Sequence, residues 1–171
     1  MKSFIAPILL LCAVAVQAQA EPPNLVPVSP QLVTSGQPSA DWLRSLKSKG
    51  YDAVVYLAPP TVPDAVPDEA LIVASQGLVF INLPIAFDQP DAKHLDQFSA
   101  LMKSLAGRKV LVHCQVNLRA STMVFLYRAT ALRDDPAAAW ALVSRIWVPD
   151  GPWRDLVQSQ LKRHEVKFDP F

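Results

Sequence analysis

Three times along this chain a helical pattern stops at a glycine and a β-rich run begins at once. Gly50 precedes Tyr51-Asp52-Ala53-Val54-Val55-Tyr56-Leu57, Gly77 precedes Leu78-Val79-Phe80-Ile81-Asn82-Leu83, and Gly107 with Arg108 precedes Lys109-Val110-Leu111-Val112-His113. Glycine just past a helix end takes the left-handed conformation with no Cβ penalty. Short apolar runs suit strands buried on both faces. Strands separated by helices need right-handed crossovers, so the pattern predicts an α/β fold: a small, mostly parallel sheet of four to five strands flanked by helices. The ligand crevice of such a sheet lies beyond the C-terminal ends of its strands.

The remaining elements follow from caps and periodicity. Gln31 to Thr34 is the candidate first strand, followed by a turn at Ser35-Gly36-Gln37-Pro38. Ser39 caps a helix over Ala40 to Lys49, with Trp42, Leu43 and Leu46 on its apolar face. A second helix is expected over about Pro67 to Gln76, after a proline-rich loop from Pro59. A third starts at Pro90 or Asp91 and places Leu95, Phe98, Leu101, Met102 and Leu105 at spacings of three and four. Glu21 to Pro30 holds four of the 16 prolines and reads as an extended lead-in. After Ser121 the chain reads as helical, over about Ala120 to Leu132, Pro136 to Ile146 and Trp153 to Arg163, so the C-terminal third is helical.

With 171 residues, 51% of them hydrophobic, the chain is long enough for one domain around one core. Its first residues read as a targeting segment, residues 1–20: Lys2 is a basic start, Phe4 to Val16 an apolar run, and Ala18-Gln19-Ala20 a small-x-small cleavage signal. The apolar run is short for a membrane helix. A secreted or periplasmic protein is therefore expected, with residues 21–171 as the mature domain and no stable membrane insertion after cleavage. Cleavage removes one of the 16 basic residues and leaves them balanced against 15 acidic ones. A neutral domain has no long-range attraction for nucleic acid. It also removes Cys12, so Cys114 is left without an intramolecular disulfide partner.

That thiol stands where the third β-rich run ends, in His113-Cys114-Gln115-Val116-Asn117-Leu118-Arg119-Ala120-Ser121. A strand leading through a short loop into a helix gathers unpaired amides and the positive end of a helix dipole, which together favour a bound anion. The same field favours thiolate over thiol, making Cys114 a candidate nucleophile. Arg119 is a candidate two-pronged oxyanion clamp. The backbone of His113, Gln115, Val116, Asn117, Leu118, Ala120 and Ser121 would complete the binding loop. Asn117 tolerates a left-handed backbone and suits the turn. Ser121 either donates to the sulfur or satisfies the helix start.

A general acid is sought on the same edge. Phe87-Asp88-Gln89-Pro90 follows Leu78 to Leu83, the third strand counting from Gln31 to Thr34, so Asp88 is the first choice and Asp91 the alternative. Asp64, Asp68 and Glu69 occupy another loop there, the last two reading as first-turn helix charges. Gln37 either faces the site or serves the turn; His94 and His164 read as surface residues. Trp147 and Trp153 read as packing for the final helices. No Cys-x-x-Cys or His-Glu-x-x-His appears, and all five glycines are isolated, so neither a metal site nor a nucleotide loop is expected. The reading is cofactor-independent.

The loop resembles that of the cysteine-dependent phosphatases, His-Cys-x5-Arg-Ser/Thr, but here Arg119 arrives one residue early and Ala120 stands in the Arg position. Ser35-Gly36-Gln37-Pro38, Tyr51 to Leu57, Pro67-Asp68-Glu69, Leu83-Pro84-Ile85, His113-Cys114-x-x-Asn117-x-Arg119-Ala120-Ser121 and Ile146-Trp147-x-Pro149 with Trp153, in this order, resemble the bacterial beta-lactamase-hydrolase-like domain and the related tyrosine-phosphatase-like group. The resemblance implies a dual-specificity-like hydrolase acting on a phosphorylated protein or a small phosphomonoester. In it Cys114 attacks phosphorus, Arg119 and the loop amides hold the phosphoryl oxygens, and Asp88 protonates the leaving oxygen. The shorter Cys-x4-Arg spacing is also that of rhodanese-like sulfurtransferases, so sulfur transfer stays open, as does a silent oxyanion-binding or interaction module.

Overall fold

The computed structural model describes residues 20–171. Residues 1–19, with most of the expected targeting segment and Cys12, lie outside them. Among the described residues no helix is long and apolar enough to cross a membrane. The elements are β1 Val26–Ser29, β2 Leu32–Ser35, α1 Ala40–Arg44, β3 Ala53–Tyr56, α2 Glu69–Ala74, β4 Val79–Asn82, α3 Ala92–Ser104, β5 Val110–His113, α4 Leu118–Tyr127 continued by a π-helical turn over Arg128–Leu132, α5 Pro136–Val143 and α6 Gly151–Arg163.

The sheet runs β1-β2-β5-β3-β4. All its pairings are parallel except β1 with β2. Sequence reading predicts the parallel part but takes residues 21–30 as a lead-in, whereas Val26–Ser29 forms an antiparallel edge strand. Proline hides it: Pro27 lacks the N–H a central strand needs, but at an edge it interrupts no ladder on its open side. The other differences are at helix ends. The turn of α1 tightens after Arg44, and α4 begins at Leu118, two residues before the expected start.

β5 lies at the centre, and its alternation divides the molecule. Val110, Val112 and Cys114 face the larger core, built with α3, α4, α5 and α6, while Leu111 joins the smaller core under α1 and α2 with Trp42, Leu43, Leu46 and Val73. Nine of the ten residues of α4 are buried, which makes it the central helix and explains its almost unbroken apolar sequence. Ser35, His113, Tyr56 and Asn82 are mutually in register. Four strand ends are thus level, and the loops leaving them converge on one edge.

α3 is fixed by a reciprocal cap. Asp91 Oδ1 accepts from the His94 amide at 2.8 Å while His94 Nδ1 accepts from the Asp91 amide at 3.2 Å. His94, expected as a surface residue, is therefore a capping residue.

Candidate active site

Between the end of β5 and the start of α4 the chain has only Cys114, Gln115, Val116 and Asn117 in which to turn. Asn117 makes the turn with φ at 72°. Its side chain locks the conformation by donating to the Asn24 carbonyl at 2.6 Å and to Thr34 Oγ1 at 3.1 Å. Asn24 in turn donates to the Val116 carbonyl at 2.9 Å. The lead-in segment is thus a brace for the loop, a role its own sequence does not announce.

Three successive carbonyls of the loop accept bonds from outside it: Gln115 from the Gln37 amide at 2.8 Å, Val116 from Asn24, and Asn117 from the Ser121 amide and hydroxyl at 3.0 and 2.6 Å. Carbonyls turned outward leave the intervening N–H groups facing inward. Among the described residues the amides of Gln115, Val116, Leu118, Arg119 and Ala120 have no acceptor. They form a nest of partial positive charge at the N-terminus of α4. Of the two roles open to Ser121, its hydrogen bonds are those of the helix start, since the hydroxyl donates to the Asn117 and Leu118 carbonyls. Val116 is exposed, Leu118 half-buried and Ala120 buried.

Cys114 closes β5 with no solvent exposure. Its amide donates to the Ser35 carbonyl at 3.3 Å. Arg119 is only 5% exposed, so its guanidinium is turned over the loop rather than into solvent. Both terminal nitrogens reach Gln115 Oε1, at 3.3 and 3.4 Å, its Nε has no partner, and the group lies 5.1 Å from the Phe87 ring centroid. Gln115 Nε2 donates to Asp64 Oδ1 at 2.7 Å, which brings the β3–α2 loop to the cradle.

His113, on the opposite face of β5, is wholly buried. Its ring stacks on Tyr56, centroids 4.7 Å apart, and Nε2 lies 2.8 Å from Glu69 Oε1, a close contact outside aligned hydrogen-bond geometry. The other Glu69 oxygen accepts from Gln37 Nε2 at 2.9 Å. Glu69 stands in the first turn of α2, as expected, but is buried and joins the β2–α1 loop, α2 and the Cys-bearing strand. Asp68 remains an exposed residue before α2. Burial, then the carboxylates of Glu69 and Asp64, push the Tyr56 hydroxyl up to about 12, partly offset by Arg119. Tyr56 is therefore a neutral phenol wall beside the cradle at any physiological pH.

The loop after β4 supplies the remaining pieces. Phe87, over Arg119, sits between Trp147 and Trp153 at 6.0 and 5.9 Å, and Trp153 Nε1 donates to the Phe87 carbonyl at 2.7 Å. The two tryptophans thus pack the final helices, as expected, and also hold this loop against the site. Asp88 follows Phe87, exposed and with no partner among the described residues, whereas Asp91 is committed to the cap of α3.

Gly36 sets how closely the first loop approaches. A Cβ there would lie 2.7 Å from the Gln115 carbonyl oxygen and 3.0 Å from Pro23 Cβ. Gly36→Ala must move backbone, so it is expected to destabilise the protein by about 1–3 kcal/mol, lowering the thermal midpoint by roughly 3–10 °C. Thermal unfolding of the purified variant checks this.

No family model and no curated protein matches the chain. Solved structures do. A protein described as "Putative phosphatase (DUF442)" from Shewanella putrefaciens CN-32 superposes with a TM-score of 0.75 at 29% identity, over 83% of this chain and 93% of that one. Tk-PTP in its active form gives 0.66 at 22% identity, over 85% and 99%. Human DUSP28 gives 0.62 at 21% identity, over 87% and 100%. The chain has the fold of the dual-specificity-like cysteine phosphatases.

Proposed function

We propose that this chain is a cysteine-dependent phosphoric monoester hydrolase of the dual-specificity-like kind, acting on a phosphorylated protein or a small phosphomonoester. The single observation that carries the reading is the six-residue loop beginning at Cys114, with carbonyls turned out, five amides without an acceptor among the described residues and one nearly buried guanidinium. The similarity to the structure described as "Putative phosphatase (DUF442)" supports it. The finer likeness to the beta-lactamase-hydrolase-like group rests on the motifs quoted above. Export, through a cleaved segment ending at Ala20, is part of the proposal.

In the first step Cys114 Sγ bonds to phosphorus as the phosphorus–oxygen bond to the leaving group breaks, and Asp88 gives that oxygen its proton. In the second, Asp88 takes a proton from water, whose oxygen attacks phosphorus and releases the sulfur and inorganic phosphate. Arg119 and the inward amides hold the three equatorial oxygens throughout, where charge develops in the transition state. The six-residue loop favours a second reading, sulfur transfer through a persulfide on Cys114. Assay of the purified mature chain separates them: turnover of an aryl phosphate supports the first, and turnover of thiosulfate with a thiol acceptor, without phosphatase activity, supports the second.

The role of Asp88 has its own test. Asp88→Asn is expected to lower kcat/KM for phenyl phosphate about 100-fold or more and kcat/KM for p-nitrophenyl phosphate much less, because that leaving group departs without a proton, while kcat falls for both through the slowed hydrolysis of the shared intermediate. Asp91→Ala should instead cost about 1 kcal/mol of stability through the lost cap, with turnover nearly unchanged. Steady-state kinetics on both esters, alongside thermal unfolding, check both expectations.

A further inference from the structure

We propose that the Gln115 carboxamide is a built-in occupant of the oxyanion position, held there by Asp64, so that substrate enters by exchange rather than into an open site. The inference deepens the proposed function and rests on its oxyanion-binding loop.

The argument begins with the guanidinium. Arginine presents a planar fork that suits two oxygens of one anion. In Arg119 both terminal nitrogens converge on one neutral oxygen, Gln115 Oε1, at distances long for hydrogen bonds, and the buried Nε is unpartnered. The acceptor present is therefore too small for its donors. The anchor is stronger: Gln115 Nε2 donates to the Asp64 carboxylate at 2.7 Å. The Gln115 carbonyl is pinned by the Gln37 amide at 2.8 Å. The backbone is fixed, and the side chain is the part free to move. Asp64 belongs to the β3–α2 loop, so the contact bridges two segments across the cradle.

Exchange follows from these strengths. A phosphoryl dianion offers Arg119 several charged oxygens, and charge-assisted bonds are about twice as strong as neutral ones. It displaces the carboxamide, which leaves with its Asp64 partner. A singly charged ester competes less well, so Gln115 and Asp64 select for the doubly charged group.

Inorganic phosphate binding to the Cys114→Ser chain, measured by calorimetry, tests this without turnover. Gln115→Ala is expected to tighten binding about fivefold by removing the competitor, and Asp64→Ala to tighten it by a similar factor. The double variant should bind no more tightly than Gln115→Ala alone. Asp64 is exposed, so its variant is available even where a loop substitution disturbs folding. Unchanged or weaker binding in Gln115→Ala overturns the proposal, because the side chain would then be a ligand of the bound anion. A full Asp64→Ala gain in the Gln115→Ala background also overturns it, reducing Asp64 to simple charge repulsion. If neither the parent nor any variant binds phosphate, the oxyanion loop itself fails and the proposed function falls with it.

Discussion

Cys114→Ser is expected to abolish aryl phosphate turnover, by about 10⁴-fold or more, while leaving the loop able to bind phosphate. A serine hydroxyl in the same place has no adjacent base to remove its proton, and an unactivated alcohol is a far weaker nucleophile than a thiolate. The oxyanion contacts, by contrast, come from Arg119 and main-chain amides that the substitution does not touch. Some stability is lost as well, since Cys114 sits in the core cluster with Val112, Ala120 and Met123. A buried hydroxyl without a partner costs about 1–3 kcal/mol there. Kinetics and phosphate titration on the same folded sample separate these effects: lost turnover with retained binding identifies the nucleophile, whereas joint loss points to collapse of the loop.

Arg119 is the second site of large effect, and its signature is a split between activity and stability. Arg119→Met removes the cation placed over the loop and should lower kcat/KM by about 10²–10³-fold. Arg119→Lys should recover little of this, because a point charge cannot reproduce the two-pronged contact. Stability should move the other way or hardly at all. The guanidinium is nearly buried, with a neutral partner, a ring face and an unpartnered Nε. Replacing such a charge by an apolar side chain of similar volume is often neutral or stabilising. Equal loss of kcat/KM and thermal midpoint would make Arg119 a structural residue instead.

The loop and the contacts around it differ in how openly the sequence declares them. Strand, Cys, Arg and helix are contiguous, so the loop and its place at the sheet edge could be read from Lys109 to Ser121. The three helix-ending glycines likewise gave the parallel core of the sheet. What stayed hidden depends on contacts distant in sequence. Glu69 looks like any first-turn acid, and its turn inward to His113 depends on the alternation of β5, which sends Cys114 to one core and His113 to the other. The Gln115–Asp64 bond and the Asn24–Asn117 clasp join segments that no local pattern connects. β1 was masked by the prolines that suit it to an edge. Phe87 gave no signal either, because an aromatic beside an acid in a loop is unremarkable until Trp147 and Trp153 are seen to press it onto Arg119.

The central claim is that phosphorus passes through a covalent bond to Cys114. In Asp88→Asn the first step with p-nitrophenyl phosphate should stay fast while the second, which needs a base, becomes slow, so the intermediate should accumulate. Acid quenching followed by mass spectrometry should then find the Cys114 peptide heavier by one phosphoryl group, and the same peptide unmodified in Cys114→Ser. Release of p-nitrophenol with no adduct on that peptide, or an adduct formed only from thiosulfate and carrying an extra sulfur, would contradict the account.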